Sequence, residues 1–234
     1  MNHFEQNRQS WNSLTTLHAK SDFYNVERFK QGKTSLNPIE IEELGDVKGK
    51  NLLHLQCHFG LDTLSLARAG AKVTGIDISD TSIQIASDLA NELNIPAQFM
   101  RSNVYDIKNV LDEPFDIVFT SYGAINWLDD LDQWAKLIYR YLKPDGFFYM
   151  VEFHPYIYTL NEKSEIANSY FKSAPLETVV DSSYTDKSEM PDKNLMHVEW
   201  HHSLSEVINS LLSAGLTIEF LNEYPYQPYN CFPN

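Results

Sequence analysis

Residues 51–60 read Asn51-Leu52-Leu53-His54-Leu55-Gln56-Cys57-His58-Phe59-Gly60, a short apolar run followed by a loop that ends in glycine. A helix is predicted over Asp62–Gly70, because its apolar residues recur at helical spacing and a glycine stops it. Lys72–Asp77 is predicted to be a second buried strand. A strand, a loop, a helix and a second strand form a βαβ unit, in which the two strands lie parallel.

The same alternation continues along the chain as far as Phe153. Two further helices and three further strands are predicted: helices over Asp80–Leu93 and Leu131–Leu142, and strands over Ala97–Arg101, Phe115–Thr120 and Phe147–Phe153. The predicted fold class is therefore α/β, a doubly wound, mostly parallel, Rossmann-like sheet with helices on both faces. Such sheets bind ligands outside the carboxyl ends of their strands, where the strand order reverses.

The whole chain is predicted to form a single domain with four parts, one of which is the alternating core. They are an amino-terminal helical cap over 1–36, with one or two short helices, a core over 37–154, a lid or insertion over 155–202, and a carboxyl-terminal helix and strand over 203–234. The last part is predicted to hold a helix at Leu204–Ala214 and a sixth strand at Leu216–Leu221. Tyr229–Asn234 offers no obvious seventh strand, and an unpaired sheet edge there favours self-association as a homodimer.

Composition excludes several classes of protein. The 234 residues are 43% hydrophobic, which supports a large core, and their formal net charge of -14 disfavours nucleic acid as the main partner. The two cysteines form no zinc-like cluster with histidines, so no metal is expected. The polar amino terminus lacks the apolar region of a signal peptide, and no apolar run approaches the ~20 residues of a membrane helix. We expect a soluble cytoplasmic protein without a membrane partner.

The first loop and the second strand together indicate a nucleoside site. Asp77 follows Gly60 by about the ~20 residues typical of an acid that binds a ribose. Alternatively, Asp77 caps the next helix through Ser79 or Asp80. A dinucleotide fingerprint needs three glycines beside the pyrophosphate, but those positions hold Gln56, His58 and Leu61. NAD, FAD and ATP therefore fit poorly, and a nucleoside without phosphates fits better.

These residues resemble the class I S-adenosylmethionine-dependent methyltransferases, as do Phe115-Asp116-Ile117-Val118 and Leu142-Lys143-Pro144-Asp145-Gly146 downstream. The family's common first motif is acid-x-Gly-x-Gly-x-Gly, and here it reads His54-x-Gln56-x-His58-x-Gly60. The chain resembles a bacterial subgroup with this His/Gln/Cys/His variant. The resemblance implies methyl transfer from S-adenosyl-L-methionine to a small-molecule acceptor by direct displacement, with S-adenosyl-L-homocysteine as product. How the methionine end is held is open, since His54 replaces the usual acid.

The resemblance also implies which residues bind the cofactor. Asp77 would bind the ribose, Ile78 and Asn103 the adenine together with the backbone of Val104, and Gly60 would lie near the methionine. The full set implied is Tyr24, His54, Gln56, Cys57, Gly60, Asp77, Ile78, Asn103, Val104, Ser121 and Tyr122. Simpler interpretations stay open: His54 is a hydrogen-bonded buried histidine, His58 caps a helix, Cys57 fills apolar space and Asn103 shapes a turn.

A base is needed if the acceptor is a hydroxyl or a protonated amine. His154 is the leading candidate, because it follows the fifth strand and shares a strand face with Glu152, and His201 is second. The predicted substrate pocket comprises Tyr122, Trp127, Glu152, His154, Trp200 and His201. Alternatively, Glu152 and His154 pair with each other to hold the lid.

Two other functions remain open at this point. The missing glycines fit a binding module that keeps the cofactor pocket but has weak or no catalysis. A nicotinamide-dependent oxidoreductase is a third hypothesis, which the same missing glycines disfavour.

Overall fold

The computed structural model describes residues 2–161, 163–188 and 195–228. Its helices are α1 (His3–His18), α2 (Val26–Lys30), α3 (Pro38–Leu44), α4 (Leu61–Arg68), α5 (Asp80–Glu92), α6 (Leu131–Tyr141) and α7 (Leu204–Ser213). Its strands are β1 (Asn51–Leu55), β2 (Lys72–Asp77), β3 (Ala97–Arg101), β4 (Phe115–Ser121), β5 (Leu142–Val151), β6 (Leu176–Val179) and β7 (Met196–Glu199). Short 3₁₀ helices occupy Val104–Asn109, Ile125–Trp127 and Pro155–Thr159.

Five of the strands form one parallel sheet in the order β3-β2-β1-β4-β5. The predicted α/β, doubly wound class is therefore confirmed. Strand order reverses between β1 and β4, so the ligand-binding crevice of the fold lies outside the carboxyl ends of these two strands. The other two strands, β6 and β7, pair antiparallel as a separate sheet.

Alternate residues of the central strands enter two different apolar layers. Leu53 and Val118 pack with Trp134 and Ile138 of α6 on one face of the sheet. The neighbouring residues Leu52, Ile117 and Phe119 pack with α3 and α4 residues on the other face. Both faces of a parallel sheet are buried, which explains why its strands read as continuous apolar runs.

Three predictions about the flanking parts need correction. Residues 216–221 form no strand, because none of the described residues pairs with them and a strand exists only through such pairing. The amino-terminal part holds a helix of 16 residues, longer than expected. The insertion is not wholly irregular, since it holds the β6–β7 hairpin. Residues 229–234, where the sequence offers no obvious seventh strand, lie outside the described residues, and the division into four parts stays a prediction.

Helix α1 is fixed across the carboxyl edge of the sheet by polar contacts on both sides. The Asn7 side chain donates to the Val198 carbonyl and accepts from the Val198 N–H, both at 2.8 Å. On the other side, the Thr15 and Ser82 hydroxyls lie 2.8 Å apart. These buried contacts place the inner face of α1 above the crevice. None of the described helices has the length and apolar character needed to cross a bilayer.

Candidate functional site

The loop after β1 has left-handed backbone at Gln56, His58 and Gly60, the three positions at which the family's common motif has glycine. The φ angles are 54° at Gln56, 51° at His58 and 81° at Gly60. For a non-glycine residue this conformation costs about 1–2 kcal/mol. Gln56 Nε2 donates to the Ala124 carbonyl at 2.6 Å, which ties the loop to the segment after β4. The substituted residues therefore keep a backbone course normally given to glycines, and they add side chains to the crevice.

Asp77 links this loop to the start of α5. One carboxylate oxygen accepts from the His58 N–H and the other from the Ser79 N–H, each at 2.8 Å. Burial raises the pKa of Asp77 to about 6, although these backbone hydrogen bonds act in the opposite direction. Ser79 itself caps α5 through the Ser82 N–H. Each Asp77 oxygen has a second lone pair, so two hydroxyls of a ribose could still donate to it.

A pocket of about 650 Å³ opens beside Asp77, beyond β2 and β3. Ile78 and Asn103 both line it, and the side chains of Glu5 and Arg8 close it from α1. Asn103 also caps the following 3₁₀ helix by accepting from the Tyr105 N–H at 3.1 Å, so its turn role and its pocket position coincide. Val104 has its side chain buried in the core. The structure thus brings the predicted adenine residues to one surface.

His54, at the end of β1, is buried and hydrogen-bonded at both ring nitrogens. Nδ1 lies 2.8 Å from the Thr63 hydroxyl and Nε2 lies 3.3 Å from the Ser121 hydroxyl. Burial lowers the pKa of His54 to about 3, so the ring is neutral at pH 7. This geometry fits the interpretation of His54 as a satisfied buried histidine, and Ser121 lies beside it at the end of β4.

Aromatic side chains from four segments meet above the loop after β1. We call this set the ring cluster; it comprises Trp11, His18, Tyr24, His58, Trp127 and His197. The Trp11 ring lies 5.2 Å from Trp127 and 5.4 Å from His58, and Trp127 lies 4.8 Å from His197. Tyr24 lies 5.3 Å from His58, so it reaches this loop as predicted. The cluster therefore places aromatic rings from α1, β7 and two connecting segments beside the loop after β1.

The histidines of the ring cluster are neutral. Burial lowers the pKa of His18 and of His197 to about 4, and it lowers that of His58 well below its usual value. His18 Nδ1 lies 3.2 Å from His58 Nε2. The Nε2 atoms of His18 and His197 are buried and have no hydrogen-bond partner among the described residues. Such atoms can receive a proton from a bound ligand.

Sequence reasoning missed three members of the ring cluster: Trp11, His18 and His197. Trp11 and His18 lie seven residues apart on α1, a spacing that puts them on one helix face, so this signal was present in the sequence. His197 lies in the hairpin strand β7 and had no comparable signal.

The remaining predicted pocket residues have other neighbours. Glu152 accepts from the backbone N–H of Gly123, from that of Ala124 at 2.8 Å and from that of Phe153 at 2.8 Å. Its alternative pairing with His154 is therefore wrong. His154 is exposed, with Nε2 3.0 Å from a carboxylate oxygen of Glu223.

The other predicted substrate residues, from the insertion and the end of β4, each contact a different part of the protein. His201 stacks on Tyr158 at 5.8 Å, and the buried Trp200 ring packs edge-on to His3 at 5.0 Å. The Tyr122 hydroxyl accepts from Asn37 at 3.5 Å. Among the predicted substrate residues, Trp127 is the member that joins the ring cluster.

Cys57 is buried directly after β1, and burial raises the pKa of its thiol well above the usual value. Its sulfur packs against Gly75, which fits the role of a small apolar filler. Within the described part of the chain, no three His, Cys, Asp or Glu side chains are grouped to hold a metal ion.

Known proteins with similar sequences point to one family. A methyltransferase domain model matches residues 53–150. A ubiquinone biosynthesis O-methyltransferase of Proteus mirabilis is 23% identical over 80% of this chain and 86% of its own length. One from Coxiella burnetii is 30% identical over 53% of this chain and 56% of its own length. The chain therefore spans only about half the length of several of these relatives.

Solved structures agree in fold. An S-adenosylmethionine-dependent methyltransferase from Mesorhizobium loti shares 20% identity and a TM-score of 0.56, over 80% of this chain and 83% of that one. The complex of DhpI with S-adenosylhomocysteine shares 15% identity and a TM-score of 0.59, over 91% of this chain and 87% of that one. Residues 53–150 of the chain therefore match a methyltransferase domain, and the 3-2-1-4-5 sheet has the fold of the S-adenosylmethionine-dependent methyltransferases that the chain resembles.

Proposed function

We propose that this methyltransferase acts on a small molecule held between α1 and the loop after β1, and that the methylated atom is an oxygen. The observation that carries the proposal is the ring cluster, whose mostly half-buried rings lie over the loop after β1, at the switch in strand order. When bound, S-adenosyl-L-methionine supplies a methyl group already activated by a positive sulfonium. The protein's main contribution is then to position the acceptor and to exclude water.

The residues around Asp77 fit the adenosine part of this cofactor. Asp77 has free acceptor capacity for the ribose hydroxyls, and the adjoining pocket exposes Ile78 and Asn103 for the adenine. The side chains of Gln56 and His58 occupy the place where glycines would let a pyrophosphate approach. This steric argument disfavours a nicotinamide dinucleotide.

The ring cluster suits a flat, largely apolar acceptor such as a phenol. Aromatic rings pack favourably edge-to-face at the distances seen between Trp11, Trp127 and His197. The Nε2 atom of His18 or His197 would accept the phenolic proton as the new oxygen–carbon bond forms. The phenolic oxygen becomes strongly acidic as its bond to the methyl carbon forms and the sulfur–methyl bond breaks, so even a histidine whose pKa burial lowers to about 4 can accept the proton at that stage. The relatives named for ubiquinone biosynthesis are O-methyltransferases, which supports the choice of oxygen.

The histidines predicted from sequence remain the second candidates for the base. His154 is exposed and contacts Glu223, and His201 stacks on Tyr158, so neither placement favours the role. We also propose a cytoplasmic location and a homodimeric state, both on the basis of the sequence. Sedimentation of the purified chain tests the homodimer.

The decisive experiment combines binding with turnover. Calorimetry should detect S-adenosylhomocysteine binding and no NADH binding, and labelled methyl groups should pass from the cofactor to members of a panel of phenols rather than amines. His18→Gln or His197→Gln should lower kcat about 10²–10⁴-fold, whereas a loss of that size in His154→Gln alone would assign the base to that second candidate. Binding without transfer to any acceptor would favour a binding module, and NADH binding without S-adenosylhomocysteine binding would reject the function.

A further inference from the structure

Two carboxyl groups, the buried Glu40 and the half-buried Asp62, lie in α3 and α4 on one side of the sheet. Glu40, in the first turn of α3, is 1% exposed. Its Oε1 accepts from the Asn37 side chain at 3.2 Å, but its Oε2 is buried and has no partner among the described residues. An unpaired buried carboxylate oxygen is costly, so its retention needs a reason.

Asp62 faces the same space from the first turn of α4. Its Oδ1 accepts from the Ser35 hydroxyl at 2.6 Å, and the Ser121 hydroxyl also donates to its carboxyl. Burial raises the pKa of Asp62 to about 6, and the negative charge of Glu40 raises it further in the same direction. The two carboxyl groups are therefore near enough for the charge of Glu40 to act on Asp62.

No cation of the described chain neutralises this pair. The ion pairs formed within the described residues involve other acidic groups, and neither Glu40 nor Asp62 takes part in one. The surroundings supply hydroxyls instead, from Ser35, Ser121 and Tyr122. The described residues give these two carboxylates no third ligand of the kind that a metal site needs. An ammonium group has three N–H donors, which the carboxylates and the neighbouring hydroxyls can accept.

The position of the pair identifies which ammonium it would meet. Ser121 and His54 end β4 and β1, so the pair adjoins the switch in strand order. Asp77 and the pocket at Ile78 lie on the β2 and β3 side of that crevice, where the ribose and adenine are proposed to bind. A cofactor extending from there across the crevice would bring its amino-acid end to β1 and β4.

We propose that Glu40 and Asp62 bind the α-ammonium of the cofactor's methionine moiety. They supply the negative charge that the first motif lacks, since neutral His54 stands where the acid would be. The inference rests on the proposed cofactor site and names the residues that recognise its charged end.

Calorimetry with three ligands tests the proposal without an activity measurement. The ligands are S-adenosylhomocysteine, its deamino analogue, which keeps the carboxylate, and 5′-methylthioadenosine, which lacks the whole amino-acid part. Glu40→Gln and Asp62→Asn should each weaken S-adenosylhomocysteine binding about 10-fold or more, because each keeps an acceptor oxygen but removes the negative charge that attracts the ammonium. Both variants should leave 5′-methylthioadenosine binding unchanged. The exposed Glu42→Gln, on the same helix, is the matched control and should change neither affinity.

The wild-type protein provides a test that does not depend on variants folding. It should bind the deamino analogue at least about 10-fold more weakly than S-adenosylhomocysteine. Equal affinity for these two ligands would overturn the ammonium site while leaving the cofactor assignment intact. Equal losses for S-adenosylhomocysteine and 5′-methylthioadenosine in the variants would also overturn it. If the wild type bound none of the three, the proposed function itself would fall.

Discussion

Replacing Gly60 by alanine tests how closely the loop after β1 packs on the sheet. A Cβ atom at this position would lie 2.8 Å from Cε1 and Cζ of Phe99 and 2.9 Å from Cβ of Ala86. Its φ of 81° adds a left-handed penalty of about 1–2 kcal/mol. Overpacking of this kind costs about 1–3 kcal/mol, so the total loss in the free energy of unfolding should be about 2–5 kcal/mol.

Gly49 offers a matched control for the backbone part of this loss. Its φ is 75°, and nothing lies within 4 Å of its added Cβ. Urea unfolding of Gly60→Ala and Gly49→Ala should therefore differ by about 1–3 kcal/mol, the steric part alone. Adding Phe99→Leu to Gly60→Ala should recover much of that difference. If the two alanine variants lose equal stability, the tight contact between this loop and β3 is refuted.

Three further results are expected. Because burial lowers the pKa of His18 and His197 to about 4 from 6.5, each makes the urea midpoint fall as pH drops from 6.5 to 4, whereas Asp62 and Asp77, with pKa values raised to about 6, act in the opposite direction. The difference in midpoint between pH 6.5 and pH 4 should therefore shift in His18→Gln and His197→Gln relative to the wild type, toward greater relative stability at pH 4; an identical pH dependence in all three proteins would contradict the neutrality of the two rings. Glu152→Gln should lower the free energy of unfolding in urea by about 1–3 kcal/mol, because it weakens several backbone hydrogen bonds to a charged acceptor. An unchanged urea midpoint would mean that this carboxylate is already protonated in the native protein. Cys57 should resist alkylation in the native protein and react in urea, as peptide mass mapping would reveal; fast native labelling would contradict its burial.

The strands and helices of the core were largely predictable because their signals are local. The predicted strand bounds at Asn51–Leu55, Lys72–Asp77 and Ala97–Arg101 coincide with β1, β2 and β3. The strand predicted over 216–221 was wrong, although its apolar pattern was of the same kind. A pattern records which residues prefer a strand, but only a neighbouring strand can satisfy the backbone.

The candidate site was predictable in part for a similar reason. Asp77, Ile78 and Asn103 follow directly from strand ends in a parallel sheet, and in the structure Ile78 and Asn103 line one pocket while Asp77 precedes Ile78 and binds the loop after β1. The base candidates depended on spacing alone. Glu152 instead binds the backbone after β4, and His154 turns to solvent, because the loops that follow a strand do not preserve its alternation.

By itself, the sequence determined the parallel α/β architecture and the loop at which we propose that a ligand binds. The spacing of apolar residues and the size of the Gln56 and His58 side chains are properties of short segments, so they can be recognised without knowing how the rest of the chain packs. The tertiary structure alone decided what covers and completes that loop. Asn7 meets Val198 across 191 positions, and Glu40 approaches Asp62 from a different helix. Such contacts depend on how whole elements pack, so no local pattern of residues encodes them.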